Sequence, residues 1–176
     1  MKGTITACLM ELVEKKFGKD KWAAILEDAQ LSAHAANFRM APFDIPDEEV
    51  LKLIASTCKV LRITAQQAAD AFGEYWCCVY APRVYSLVYR HFKSAREMIL
   101  GMDKVHVDMT ATIPNAHPPR FNYVWESPNT LLVEYKSRRN LIDIYVGLVH
   151  GVGIYFKEKL SVKKISPTQV RIVFQS

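Results

Sequence analysis

Through residue 113 the apolar residues mostly recur every three or four positions; beyond it they alternate, with one helical interruption. The first period is that of a helix packed on one side, the second that of a strand with one covered face. "TACLMELVEKKFG" sets Ala7, Cys8, Met10, Leu12 and Val13 on one side and stops at Gly18, and "KDKWAAILEDAQL" follows with Trp22, Ile25, Leu26 and Ala29. "FRMAPFDIP" reads as a loop, because two prolines interrupt any regular element. "PDEEVLKLIASTCKVL" opens on Pro46 and three acids, a first turn that suits the helix dipole. "TAQQAADAFGEYWCCVY" predicts a further helix capped by Thr64, and "PRVYSLVYRHF" and a long helix from Ser94 to about Ile113 complete the series.

After Ile113, "NAHPPRFNYVWES" and "TLLVEYKSRR" predict two strands joined by a "PN" turn. "NLIDIYVGLVHGVGIYFKEK" returns to a helix with Ile144, Leu148, Val152 and Tyr155 a turn apart, and "LSVKKISPTQVRIVFQS" supplies two last strands. Helices followed by a small antiparallel sheet packed with a helix predict an α+β fold, with no repeats or low-complexity segments.

Composition narrows the picture. A chain of 176 residues, half of them apolar, is most simply one domain with an adequate core. No apolar run reaches the roughly 20 residues of a membrane span, and the N-terminus makes a poor signal peptide, so a cytoplasmic location without membrane attachment is expected. The net charge of +5 is scattered among acids and apolar residues rather than gathered on a nucleic-acid motif, so no nucleic-acid partner is expected. Cys8, Cys58, Cys77 and Cys78 contain no C-x-x-C pair and read as reduced, buried thiols.

Two places resist a purely structural reading. In the long helix, His106 stands at the centre of a stripe made by Ile99, Met102, Met109 and Ile113. A buried imidazole costs free energy unless its nitrogens find partners. It is either a core histidine bonded to a carbonyl or an axial ligand to iron. Asp103 and Asp108 lie off the stripe, so a many-ligand zinc site is not expected. The second place is "VEYKSRRN", where an extended chain would put Tyr135, Ser137 and Arg139 on one face and Lys136 and Arg138 on the other. Past Val133 neither face is apolar, so the strand is leaving the core or its first face meets a polar ligand.

"MKGTI" at the start, "MDKVH" with His106, "PPR" with Pro119 and "YKSRR", taken in order, resemble the heme nitric oxide/oxygen binding (H-NOX) family, which is also the sensor module of soluble guanylate cyclase. The resemblance spans essentially the whole chain, and Tyr-x-Ser-x-Arg downstream of a helix histidine is its most specific part. It implies heme b (protoporphyrin IX iron) buried between a helical distal part of about 1–62 and a proximal part of about 63–176 that carries the sheet. It implies His106 as proximal iron ligand, Tyr135, Ser137 and Arg139 as a clamp on the heme propionates, and Pro119 as the residue pressing on the porphyrin. Three side chains at alternate positions would line roughly 13 Å of one strand face, hydroxyls and a guanidinium fork suiting carboxylates, with Lys136 and Arg138 left to solvent.

Family members that hold oxygen place a tyrosine five residues past the motif arginine; here that position is Ile144. Bound oxygen carries partial negative charge and gains from a donor, whereas nitric oxide and carbon monoxide need little help, so a nitric oxide sensor is expected. Ile5, Leu9, Trp76, Tyr80, Ile144 and Leu148 are the expected distal pocket, with Tyr145, Tyr75 and Tyr80 open as other hydroxyl donors. The implied mechanism breaks the iron–His106 bond, shifts the heme and the His106 helix, and signals to a separate effector such as a histidine kinase or cyclic-di-GMP enzyme. No enzymatic activity is expected. The alternatives are an oxygen-binding heme sensor and a peroxidase-type enzyme; the latter would need a distal acid–base group, and His34, His91, His117 and His150 are not expected to supply it.

Overall fold

The structure, a computed structural model, describes residues 1–40, 44–113 and 116–175; positions 41–43 of the loop expected at "FRMAPFDIP" and Asn115 lie outside the described residues. The chain forms two compact units, Met1–Ala68 and Ala69–Ser176.

In the first unit, α1 (Gly3–Phe17), α2 (Lys19–Asp28) and α3 (Asp47–Leu61) follow the expected periodicity. Cys8, Val13, Ile25, Phe38, Val50 and Leu53 are its innermost side chains, each apolar one contributing about 1.5–3 kcal/mol by burial. The acids Asp47, Glu48 and Glu49 occupy the first turn of α3, and Arg62 in a left-handed conformation ends it. Thr64 then begins α4 (Ala65–Tyr75) with a reciprocal cap, its hydroxyl accepting from the Gln67 amide at 3.1 Å while Gln67 Oε1 accepts from the Thr64 amide at 2.9 Å.

In the second unit the helix expected through Tyr80 changes character at Trp76, and Trp76–Tyr80 is π-helical. Short helices α5 (Ala81–Val84) and α6 (Ser86–His91) lead to α7 (Ala95–Thr110), capped by Ser94 Oγ, which accepts from the Glu97 amide. The helix stops at Thr110, short of the expected Ile113. Strands β1 (Arg120–Ser127) and β2 (Thr130–Lys136), helix α8 (Ile142–Phe156), and strands β3 (Leu160–Ser166) and β4 (Gln169–Phe174) complete the chain. The sheet has the order β1-β2-β4-β3, antiparallel throughout, as expected for an α+β fold. Phe121, Leu131, Val133, Tyr135, Val170 and Ile172 share one core with buried residues of α7 and α8.

The α4–α8 crossing is set by small residues. A Cβ on Gly147 would lie 2.1 Å from the Ala69 carbonyl oxygen, and one on Gly151 would lie 2.2 Å from that of Gly73. Backbone therefore meets backbone here. Cys77 Sγ continues the contact, donating to the Leu148 carbonyl at 3.4 Å.

The buried face of α8 is not the stripe expected from Ile144, Leu148, Val152 and Tyr155. Tyr145, Val146, Val149 and Val152 are buried, whereas Ile144, Leu148 and Tyr155 are half-buried. The helix is covered on two sides, by the sheet and by the π-helical segment, so a single stripe could not define its inward face. Cys8 and Cys77 are buried as expected, while Cys58 and Cys78 are half-buried.

Candidate functional site

His106 lies on α7 one turn from the end of the helix. The apolar stripe around it is buried at Ile99 and half-buried at Met102, but Met109 is 44% exposed; His106 itself is half-buried. The stripe therefore opens outward at the position of the imidazole instead of enclosing it. Its Nδ1 is nevertheless buried, and the Met102 backbone one turn back is a polar neighbour of the ring. Burial pulls the imidazole pKa below its ordinary value, with the Asp103 carboxylate and the Met102 backbone pulling the other way. The ring is held as a neutral imidazole, the form that offers a lone pair to a metal.

The β1 strand holds this turn of α7 from the side. The Tyr123 hydroxyl donates to the Ile99 carbonyl at 2.7 Å, and the Phe121 amide donates to Asp103 Oδ1 at 2.9 Å. Arg120 grips the same carboxylate with two bonds, Nε to Oδ1 at 2.9 Å and Nη2 to Oδ2 at 2.8 Å. This Arg120 contact is the main reason the Asp103 pKa is lowered. The Phe121 ring lies 5.7 Å from His106, 5.8 Å from Tyr135 and 4.9 Å from Tyr145.

The expected clamp is brought together, though not as a strand face. β2 ends at Lys136; Ser137 is irregular, Arg138 and Arg139 form a turn, and Asn140 is left-handed at φ 51°. Ser137 Oγ accepts from the Arg139 amide at 3.2 Å, bending the chain back, and Arg139 Nη1 reaches the His117 carbonyl at 2.8 Å. Two hydroxyls and a guanidinium thus converge by a turn where the sequence suggested an extended ladder. The side-chain-to-backbone bond offered by a serine competes with strand pairing, which is why the strand stops there. Lys136 and Arg138 are exposed, Tyr135 is buried, and Ser137 and Arg139 are half-buried. Burial raises the Tyr135 pKa, with the Ser137 hydroxyl and the Leu141 backbone lowering it. Pro119 is half-buried, between the His117 that Arg139 holds and the Arg120 that Asp103 holds.

Of the expected distal residues, Trp76 and Tyr80 come together with ring centroids 5.5 Å apart; Trp76 is half-buried and Tyr80 buried. Ile144 and Leu148 are half-buried on α8, Ile5 is half-buried and Leu9 buried on α1. Of the other hydroxyls, Tyr75 is buried, and Tyr145 is buried with its hydroxyl unpartnered while its ring stacks 5.6 Å from Tyr135. His34, His91 and His117 are exposed, and His150 Nδ1 lies 3.0 Å from Asp70 Oδ1.

Asp103, Arg120 and Phe121 were not singled out as site residues by the sequence, whereas Tyr145 was an open alternative to Ile144. Asp103 and His106, three apart on one helix, were the available signal, but the partner of Asp103 is fixed by a strand 17 residues away.

Among the described residues no group of three His, Cys, Asp or Glu side chains could hold a metal ion. A neutral imidazole and, linked to it through the Phe121 ring, a turn carrying hydroxyls and a guanidinium fit a metal whose other donors come from a macrocycle with acidic side groups, and so fit heme.

Comparison with known proteins agrees with this chemistry. The family model described as Haem-NO-binding matches residues 2–164. Soluble guanylate cyclase gcy-35 of Caenorhabditis elegans is 25% identical over 157 residues, 87% of this chain but only 22% of that protein. Among solved structures, a Cs H-NOX variant carrying 4-cyano-L-phenylalanine superposes with a TM-score of 0.87 at 23% identity, covering 100% of this chain and 97% of that one. An oxygen-binding H-NOX domain related to soluble guanylate cyclases, in its oxygen complex, gives 0.82 at 22% identity, covering 100% and 96%. The Fe(II) unliganded H-NOX protein from K. algicida gives 0.82 at 22% identity, covering 100% and 97%. The chain belongs to the Haem-NO-binding family, the heme-binding gas-sensor domains to which soluble guanylate cyclase is related.

Proposed function

We propose that this chain is a heme-based sensor of nitric oxide and carbon monoxide that signals to a separate effector protein. Heme b, when bound, supplies a ferrous iron that accepts a diatomic gas. His106 would supply a nitrogen ligand to the iron, Tyr135, Ser137 and Arg139 would hold the propionates, and Pro119 would lie against the ring. The observation that carries the reading is the placement of a neutral, half-buried His106 beside the aromatic cluster that ends in the Tyr135–Ser137–Arg139 turn. A change at His106 and α7 would carry the signal to the effector, for which a histidine kinase or a cyclic-di-GMP enzyme is the expected class.

Gas preference rests on Ile144, which has no hydroxyl to donate. One observation favours the second reading, an oxygen-binding sensor: the adjacent Tyr145 has a buried hydroxyl without a partner. Its ring is packed on Phe121 and Tyr135, which ties that hydroxyl to the aromatic cluster. Absorption spectra of the heme-loaded, reduced protein decide between the two when taken without air, in air, and with nitric oxide. A five-coordinate ferrous spectrum that responds to nitric oxide and forms no lasting oxygen complex is expected. A stable oxygen complex would overturn the nitric oxide preference.

A further inference from the structure

The segment carrying Pro119 is fastened at both ends by arginines. Upstream, the His117 carbonyl accepts from Arg139 of the β2–α8 turn at 2.8 Å. Downstream, Arg120 makes two bonds to Asp103, one turn before His106 on α7, and the Phe121 amide adds a third to the same carboxylate. The attachments of β1 to α7 form a ladder: Tyr123 at Ile99, Arg120 and Phe121 at Asp103, and the Phe121 ring at His106. Ile99, Asp103 and His106 are spaced by four and three, so they follow one side of the helix. Because the strand number falls as the helix number rises, Pro119 belongs to the His106 end.

We propose that the Asp103–Arg120 pair is a positioning device that fixes the Pro119 segment against the His106 turn of α7. The proposal rests on the heme reading above and goes beyond it, by assigning the spacing between the iron ligand and the ring-pressing proline to a specific pair. Stability alone does not account for the pair. Arg120 is 57% exposed and Asp103 22% exposed, and ion pairs at such positions contribute little to folding. A paired fork, however, restricts direction as well as distance, which a point charge does not. With the pair intact, His106 and Pro119 move as one body with α7. With it broken, the proline segment keeps its Arg139 anchor, the β1–β2 pairing and the Phe121 amide bond, but loses the fork that fixes its direction against the His106 turn.

The test uses the whole chain with Asp103→Asn, Arg120→Met and Arg120→Lys. Three measurements are made on each: the iron–histidine stretching band of the heme-loaded ferrous protein, the His106 ring nitrogen resonances of the heme-free protein, and the melting temperature. The expected result is a shifted band and shifted ring resonances in Asp103→Asn and Arg120→Met, a smaller shift in Arg120→Lys, and little change in melting temperature. Bands and resonances unchanged in both Asp103→Asn and Arg120→Met would overturn the proposal. So would a lowered melting temperature with unchanged spectra, which would make the pair a stabilising contact only. Failure of the unaltered protein to take up heme would instead sink the heme reading, and the ring resonances of the heme-free protein would then judge the pair by themselves.

Discussion

Arg139 and His106 act on different parts of the proposed ligand, so their replacements fail differently. His106→Gly removes the only proposed protein bond to iron and should abolish stable heme uptake, with added imidazole restoring it; absorbance after gel filtration measures this. Arg139→Ala removes a charge-assisted bond of about 1.5–3 kcal/mol, and should leave heme bound but weaken its retention roughly tenfold to a hundredfold. Heme transfer to an apo-globin acceptor would show it, and an unchanged transfer rate would remove Arg139 from the clamp. A third residue reports on packing. Burial pushes the Cys77 thiol up to about 12 from an ordinary 9.0. The folded state thus favours the neutral thiol, so the stability linked to Cys77 is complete below about pH 9 and is lost as pH rises toward 12. At pH 8 a thiol reagent should modify Cys77 only on unfolding, and rapid labelling of the native protein would contradict its burial.

At the scale of elements, the α4–α8 crossing carries the sharpest expectation. Ala69, Gly73, Gly147 and Gly151 let two backbones touch, and a single methyl at Gly147 would have to occupy space held by the Ala69 carbonyl. Rigid backbone cannot yield as a flexible side chain can, so Gly147→Ala should cost at least about 1–3 kcal/mol, read as a lowered midpoint in urea unfolding. An unaltered midpoint would mean that the helices cross elsewhere. The same crossing explains why the α8 periodicity misled. A helix gripped on one side by the sheet and on another by small residues shows no single apolar stripe, and its 15 residues include three glycines that carry no hydropathic signal.

Over the whole molecule, binding and stability are linked. Heme that binds the native chain and not the unfolded one should raise the melting temperature, by the equivalent of about 2.7 kcal/mol when free heme stands at a hundred times its dissociation constant. His106→Gly should lose that increment, measured against its own heme-free melting temperature, which a glycine inside α7 lowers. An equal increment in both would mean that heme stabilises the chain through some other site. Among the described residues no helix is long and apolar enough to cross a membrane.

Periodicity and punctuation were enough for the succession of helices, the two hairpins and the Thr64 cap, because each depends on neighbours within a few residues. The family was likewise legible in the ordered set His106, Pro119, Tyr135, Ser137 and Arg139, since a resemblance is a matter of residue identity and spacing. Three things only the tertiary structure decided: the turn at Ser137 that replaces the expected strand face, the inward choice of Tyr145 over Ile144, and the grip of Arg120 on Asp103. Each depends on a contact made with another part of the chain, and a one-dimensional period holds no record of which distant backbone or carboxylate will arrive.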